Sequence, residues 1–186
     1  MSRRFAFLVL VMLPAVLLAE EPPCQSGPQP GQRPGPYSAY QATGPERGKQ
    51  HCYICEAGDR PVVIIFARSM SDPLGRLLVQ VDRAAAQPAH KDLRAWATFL
   101  SDDQPGLDPQ LVEWSRRIGL RQLPLGVFED RLGPPAYRLS ADADVTVLLA
   151  VNQKVVANFA FCKGELTEEK VKDVLSALPR ITGAKP

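Results

Sequence analysis

The sequence predicts an α/β fold: a central mixed sheet with flanking helices and a late β-hairpin. Three observations carry this. From about residue 50 onward, short β-branched runs alternate with segments whose apolar residues recur at helical spacing. Two of those segments open on aspartate followed by proline, Asp72-Pro73 and Asp108-Pro109. That pair joins an N-cap to a residue whose missing N–H is harmless in a first turn. Late in the chain, two valine-rich runs flank Asn-Gln-Lys. Alternating strand and helix units imply parallel pairing through right-handed crossovers, and the late pair adds an antiparallel ribbon.

The elements follow in order. Residues 62–67 (VVIIFA) are continuous, short and β-branched, as suits a strand buried on both faces. Leu74, Leu77, Leu78, Val81 and Ala85 then give a helix behind the Asp72 cap. Residues 93–100 (LRAWATFL) read as a second strand. Leu111, Trp114 and Ile118 form the stripe of a second helix starting at Asp108-Pro109, and Gly119 suits its C-terminal turn. Residues 123–128 (LPLGVF) are a third strand, and 133–144 are irregular or briefly helical. Residues 145–151 and 155–161 make a hairpin around a three-residue turn. Thr167 caps a last helix with Val171, Val174, Leu175 and Leu178 inward, and Pro179 stops it.

Ahead of this domain, expected over residues 50–182, lie two segments of different character. Ser2, Arg3 and Arg4 precede an apolar run from Phe5 to Ala19, interrupted only by Pro14. This is the pattern of a signal peptide over residues 1–19, cleaved after Ala19. It leads to an exported chain, periplasmic or extracellular, with no membrane span after cleavage. Cys24 follows Glu-Pro-Pro, without the small residues a lipoprotein cysteine needs. Residues 20–49 are rich in proline and glycine and poor in apolar residues, so they read as a flexible linker with polyproline II character. Net charge is +2 with both signs mixed along the chain. The absence of a basic stripe excludes nucleic acid as the natural partner. Four cysteines, Cys24, Cys52, Cys55 and Cys162, follow the signal segment. Export makes all four disulfide candidates, and three pairings are open.

The order strand, helix, strand, helix, strand, hairpin, helix over about residues 50–180 resembles the thioredoxin-like superfamily. Within it, the redoxin and peroxiredoxin branch is the nearer likeness. The extra strand LPLGVF, ending near Glu129 and Asp130, is the reason, and VTVLLAVNQKVVANFAF is similar to the late hairpin of that branch. The resemblance implies a nucleophilic cysteine just after the first core strand, where free N–H groups at a helix start stabilise a thiolate. That segment here is Arg68-Ser69-Met70-Ser71-Asp72-Pro73. Laying the superfamily's Cys-x-x-Cys on it puts Met70 and Pro73 at the cysteine positions. Ser69 and Ser71 are far too weakly acidic to substitute without a base beside them. The proline that such enzymes place before a core strand is also missing from Asp144-Val145-Thr146, while Pro124 precedes a different strand.

The pair Cys52 and Cys55 instead stands before the first core strand. A structural disulfide, between the two or with Cys24 and Cys162, is one reading. Cys162, at the end of the hairpin, is well placed to tie down the N-terminal arm. A displaced redox dithiol is another: Cys-x-x-Cys spacing poises reactive pairs, and a His51 imidazolium would favour a Cys52 thiolate. Glu56 opposes it, and no helix start is evident there. A metal site from His51, Cys52, Cys55 and Cys162 lacks the second close-spaced pair that zinc sites show. Attached haem requires histidine at position 56, which is glutamate. Among the rest, Asp102, Asp103, Asp142 and Asp144 fit no calcium loop, His90 reads as solvated, and Trp96 and Trp114 read as core. The sequence therefore points to a non-peroxidase binding or structural module with stapled cysteines and an unknown protein partner, requiring no metal or cofactor. The alternative is a thiol–disulfide oxidoreductase acting on a disulfide substrate, with Cys52 attacking and Cys55 resolving.

Overall fold

A computed structural model of the chain describes residues 24–90 and 92–183. The expected signal segment, residues 1–19, lies outside them. The described residues form one seven-stranded sheet in the order β2-β1-β5-β4-β3-β6-β7. The elements are β1 (Ala39–Gln41), β2 (Gln50–His51), α1 (Tyr53–Ala57), β3 (Val62–Ala67), α2 (Asp72–Ala85), β4 (Arg94–Leu100), α3 (Gln104–Ile118), β5 (Leu125–Phe128), β6 (Ala143–Val151), β7 (Lys154–Cys162), α4 (Glu168–Ser176) and α5 (Pro179–Thr182). Single 3-10 turns lie at Pro88–His90 and Pro135–Tyr137.

β3 lies centrally, parallel to β4 and antiparallel to β6. Every residue of it is buried, which explains its unbroken apolar sequence. Its odd and even residues serve two different cores. Val63, Ile65 and Ala67 meet Leu74, Leu77, Leu78 and Val81 of α2, Leu111 and Trp114 of α3, and Val171 and Val174 of α4. Val62, Ile64 and Phe66 face Trp96, Leu148 and Tyr137, with Ala57, Tyr37, Tyr53 and Ile54 packed on them. Burying one Leu or Ile side chain contributes roughly 1.5–3 kcal/mol, so both layers matter to stability.

The second layer corrects the linker expectation. Residues 24–49 are built into the domain rather than forming a flexible arm. Gly31 N donates to Val155 O and Val155 N to Gln32 O, at 2.8 and 2.9 Å, so the arm runs beside the start of β7. Tyr37 lies in the second core, where it accepts from Trp96 Nε1 at 2.8 Å and lies 2.9 Å from Thr98 Oγ1. Tyr137 Oη donates to Gly35 O at 2.9 Å. β1 pairs antiparallel with β5, placing Tyr40 opposite Val127. Few apolar residues are needed, because backbone hydrogen bonds and buried tyrosines hold the segment.

Four local expectations also change. α3 begins at Gln104, capped by Asp103, whose Oδ1 accepts from Gly106 N at 2.9 Å, and Pro109 lies within it. Pro105 takes the first-turn role expected of Pro109, and the donor missing at Pro109 falls only one turn further in. The hairpin turn has two residues, Asn152 and Gln153, both at positive φ (52° and 58°). That handedness suits the strand twist, and it lets Lys154 join β7. Pro179 does not end the helical region: it opens the short α5. The cap of α2 moves back one residue to Ser71, whose Oγ accepts from Leu74 N at 3.3 Å.

Candidate functional site

β3 separates two places of chemical interest, and its six residues span about 20 Å. At its C-terminal end stands the segment that the resemblance would make catalytic. Its side chains are engaged in holding the fold. Arg68 donates from Nε to Ala143 O at 2.9 Å, from Nη2 to Ser140 O at 2.8 Å, and from Nη1 to Arg131 O. Ser69 Oγ donates to the Asp144 carboxylate at 3.0 and 3.1 Å. Ser71 caps α2, and Met70 packs on the main core. Burial pulls the Arg68 guanidinium below its ordinary pKa, and Asp144 and Asp142 oppose that shift. No thiol occurs between Arg68 and Ala85.

At the N-terminal end of β3 stands the cysteine pair. Cys52 and Cys55 are bonded to each other, with Cα atoms 5.3 Å apart. A short helix, α1, occurs where none was evident in the sequence. Cys52 is its N-cap, and its Sγ accepts from Cys55 N at 3.3 Å. Cysteine is a weak acceptor in this role, and only the fold shows that the chain turns here. Cys55 is exposed and Cys52 half-buried. His51 Nε2 lies 3.1 Å from Glu56 Oε2, and the His51 ring meets Tyr53 edge-on at 4.4 Å. The charge expected to oppose a thiolate is thus paired with the group expected to favour one.

Two hollows flank α1. One, of about 260 Å³, is walled by Tyr53, Trp96, Leu123 and Pro124, with Glu46 and Arg94 also lining it. Tyr53 Oη is enclosed there with no hydrogen-bond partner among the described residues. Burial, followed by the charges of Glu46 and Glu56, pushes that phenol up to about 12. The other is an open groove of about 470 Å³ between arm residues 33–36 and α1, lined by Cys55, Ile54, Arg33 and Gln153 among others.

The remaining cysteines form a second disulfide, Cys24–Cys162, with Cα atoms 5.7 Å apart and a sequence separation of 138. This pairing splits the metal set considered from sequence, since Cys162 is bonded to Cys24 rather than gathered with His51, Cys52 and Cys55. Glu165 lies beside that second disulfide, with its Oε2 accepting from Cys162 N at 2.7 Å. The acidic residues have local duties: Asp102 accepts from Arg131, Asp103 caps α3, and Asp144 accepts from Ser69. His90 is half-buried rather than simply solvated, with Nδ1 3.1 Å from Ala84 O. Sequence reading passed over Asp82. This buried α2 residue accepts from Arg121, Gln122 and Leu123 N at 2.8, 3.0 and 2.8 Å, holding the loop before β5. Its signal was an acidic residue between Val81 and Arg83 on an otherwise apolar helix face.

No protein-family model matches the chain, and no curated protein matches it. Solved structures do. A secreted thiol-disulfide isomerase from Corynebacterium glutamicum superposes with a TM-score of 0.59 at 16% identity, over 82% of this chain and 86% of that one. Peroxidoxin BcpB from Mycobacterium tuberculosis gives 0.57 at 14% identity, over 85% and 99%. A thiol-disulfide oxidoreductase from Bacteroides fragilis gives 0.53 at 13% identity, over 77% and 99%. The chain has the thioredoxin-like fold, with a mixed seven-stranded sheet and flanking helices. None of its described helices is long and apolar enough to cross a membrane.

Proposed function

We propose that this thioredoxin-like domain exchanges thiols and disulfides with a protein partner through Cys52 and Cys55, outside the cytosol. In this reading Cys24–Cys162 is a staple. The observation that carries it is the contrast between the two bonds. Cys24–Cys162 spans 138 positions and Cys52–Cys55 spans 3. In the loop-entropy account, closing so short a loop constrains the unfolded chain by about 3 kcal/mol less. A bond that stabilises so little and includes an exposed cysteine is better suited to opening than to stapling. The Cys55 amide directed at Cys52 Sγ adds a donor for the thiolate that opening creates. Pairing of all four cysteines agrees with work in an oxidising compartment, as does the name of the secreted Corynebacterium isomerase.

A specific observation favours the other reading, a non-peroxidase binding or structural module. The segment after β3, where the resemblance would place the nucleophile, is occupied by the Arg68 and Ser69 hydrogen bonds. One measurement separates the two. The chain is equilibrated in glutathione or dithiothreitol buffers, and the state of each cysteine is read by alkylation and mass spectrometry. For a redox centre, Cys52–Cys55 opens at a midpoint between about −120 and −270 mV while Cys24–Cys162 stays closed. Cys52→Ser then abolishes disulfide reduction in a turbidity assay. A Cys52–Cys55 bond that resists reduction below about −300 mV establishes the module reading instead.

A further inference from the structure

We infer that Cys55, not Cys52, is the sulfur that exchanges with substrate. The groove between arm residues 33–36 and α1 then holds an extended, cysteine-bearing peptide segment with an acidic residue near its cysteine. This rests on the dithiol reading above and reverses the order of roles that sequence alone suggested. Three observations carry it. Cys55 is exposed and lines the groove, whereas Cys52 is half-buried and does not. Cys52 Sγ accepts from Cys55 N, so Cys52 is the sulfur whose negative charge has a donor waiting. Arg33 is the groove's one charged lining residue, is exposed, and has no ion-pair partner among the described residues. It therefore complements a carboxylate on the incoming segment.

The groove walls are fixed. Gly35 O accepts from Tyr137, and Gly31 and Gln32 pair with Val155. On the far side, Gln153 Nε2 donates to Asp59 Oδ1 at 2.9 Å. Ile54 offers an apolar contact next to the reacting sulfur.

The step balances as follows. A substrate thiolate attacks Cys55 Sγ, forming a mixed disulfide as the Cys52–Cys55 bond breaks. The electron pair leaves on Cys52 Sγ as a thiolate. A second substrate thiolate attacks the substrate sulfur of the mixed disulfide and releases Cys55. The substrate dithiol has lost two electrons and two protons to the protein, and the reverse sequence reduces a substrate disulfide.

The test uses the full oxidised chain and two synthetic single-cysteine peptides, one with aspartate beside the cysteine and one with asparagine there. Each reacts in excess, is quenched with acid, and is mapped by mass spectrometry. The expected adduct is on Cys55, with a free thiol on Cys52. Arg33→Glu slows adduct formation with the aspartate peptide roughly threefold or more relative to the asparagine peptide, the size expected of a reversed surface charge pair. An adduct mainly on Cys52 overturns the role assignment while leaving the dithiol reading intact. Equal slowing of both peptides by Arg33→Glu overturns the acidic-segment assignment. No adduct on either cysteine, with a bond that also resists dithiothreitol, overturns this inference and the dithiol reading together.

Discussion

Arg68 joins segments that are far apart in sequence. Its guanidinium holds the carbonyls of Ala143, Ser140 and Arg131, so one side chain closes the loop that leads into β6. Hydrogen bonds to a charged donor contribute roughly 1.5–3 kcal/mol each, less where solvent reaches them. Arg68→Ala is expected to lower unfolding free energy by about 2–3 kcal/mol in urea titration, with Arg68→Lys recovering only part of it. A loss below about 0.5 kcal/mol would show that the three contacts are replaced by water at no cost. At this scale the sequence identified which residues lack thiols but not what replaces them. Ser69 and Asp144 are 75 positions apart, and no spacing rule joins them. The spacing of Cys52 and Cys55 was evident, but the N-cap that orients Cys52 depends on the course of the backbone.

The element least legible in sequence is the N-terminal arm. Its proline and glycine content hides a three-residue strand, β1, whose partner β5 lies more than eighty positions away. The arm is held by Ser26, whose Oγ accepts from Thr146 Oγ1 at 2.7 Å, and by Cys24–Cys162. Breaking that disulfide releases the end of the arm and restores the entropy of a very long unfolded loop. Cys24→Ser with Cys162→Ser is expected to cost about 3–5 kcal/mol by urea titration. Cys52→Ser with Cys55→Ser should cost about 3 kcal/mol less, because its loop is so short. Similar losses from the two double variants would contradict the division into staple and exchange site. The strands β3 to β7 and helices α2 to α4, in contrast, were readable. Their apolar periods and caps are local, and only their ends moved.

Across the molecule, the second core concentrates tyrosines where phenolate cannot be solvated. Burial pushes Tyr37 up to about 12 against the lowering effect of its contacts with Thr98 and Trp96, and drives Tyr137 higher still. The unfolded phenols ionise first, near pH 10. Stability is therefore full below about pH 10 and falls as pH rises toward about 12, because the unfolded state alone loses protons in that window. Urea midpoints measured from about pH 8 to about pH 11.5 should fall steeply above pH 10. Tyr37→Phe should flatten that slope while lowering stability near neutrality, since Trp96 Nε1 loses its acceptor. An unchanged slope would mean that the phenol reaches water in the folded state.

The sequence by itself determined the layered α/β architecture, the order of its principal strands and helices, and the missing thiol after β3. Each of these is written in short-range pattern: β-branched runs, helical periodicity and residue identity at a position. Only the tertiary structure decided which cysteines meet, that residues 24–49 are built into the domain, and that Cys55 opens onto a groove built from residues 33–36, 54, 55, 58 and 153. Those are long-range proximities. They arise when the whole sheet closes and brings distant segments within bonding distance, so no local spacing could have chosen among the three cysteine pairings.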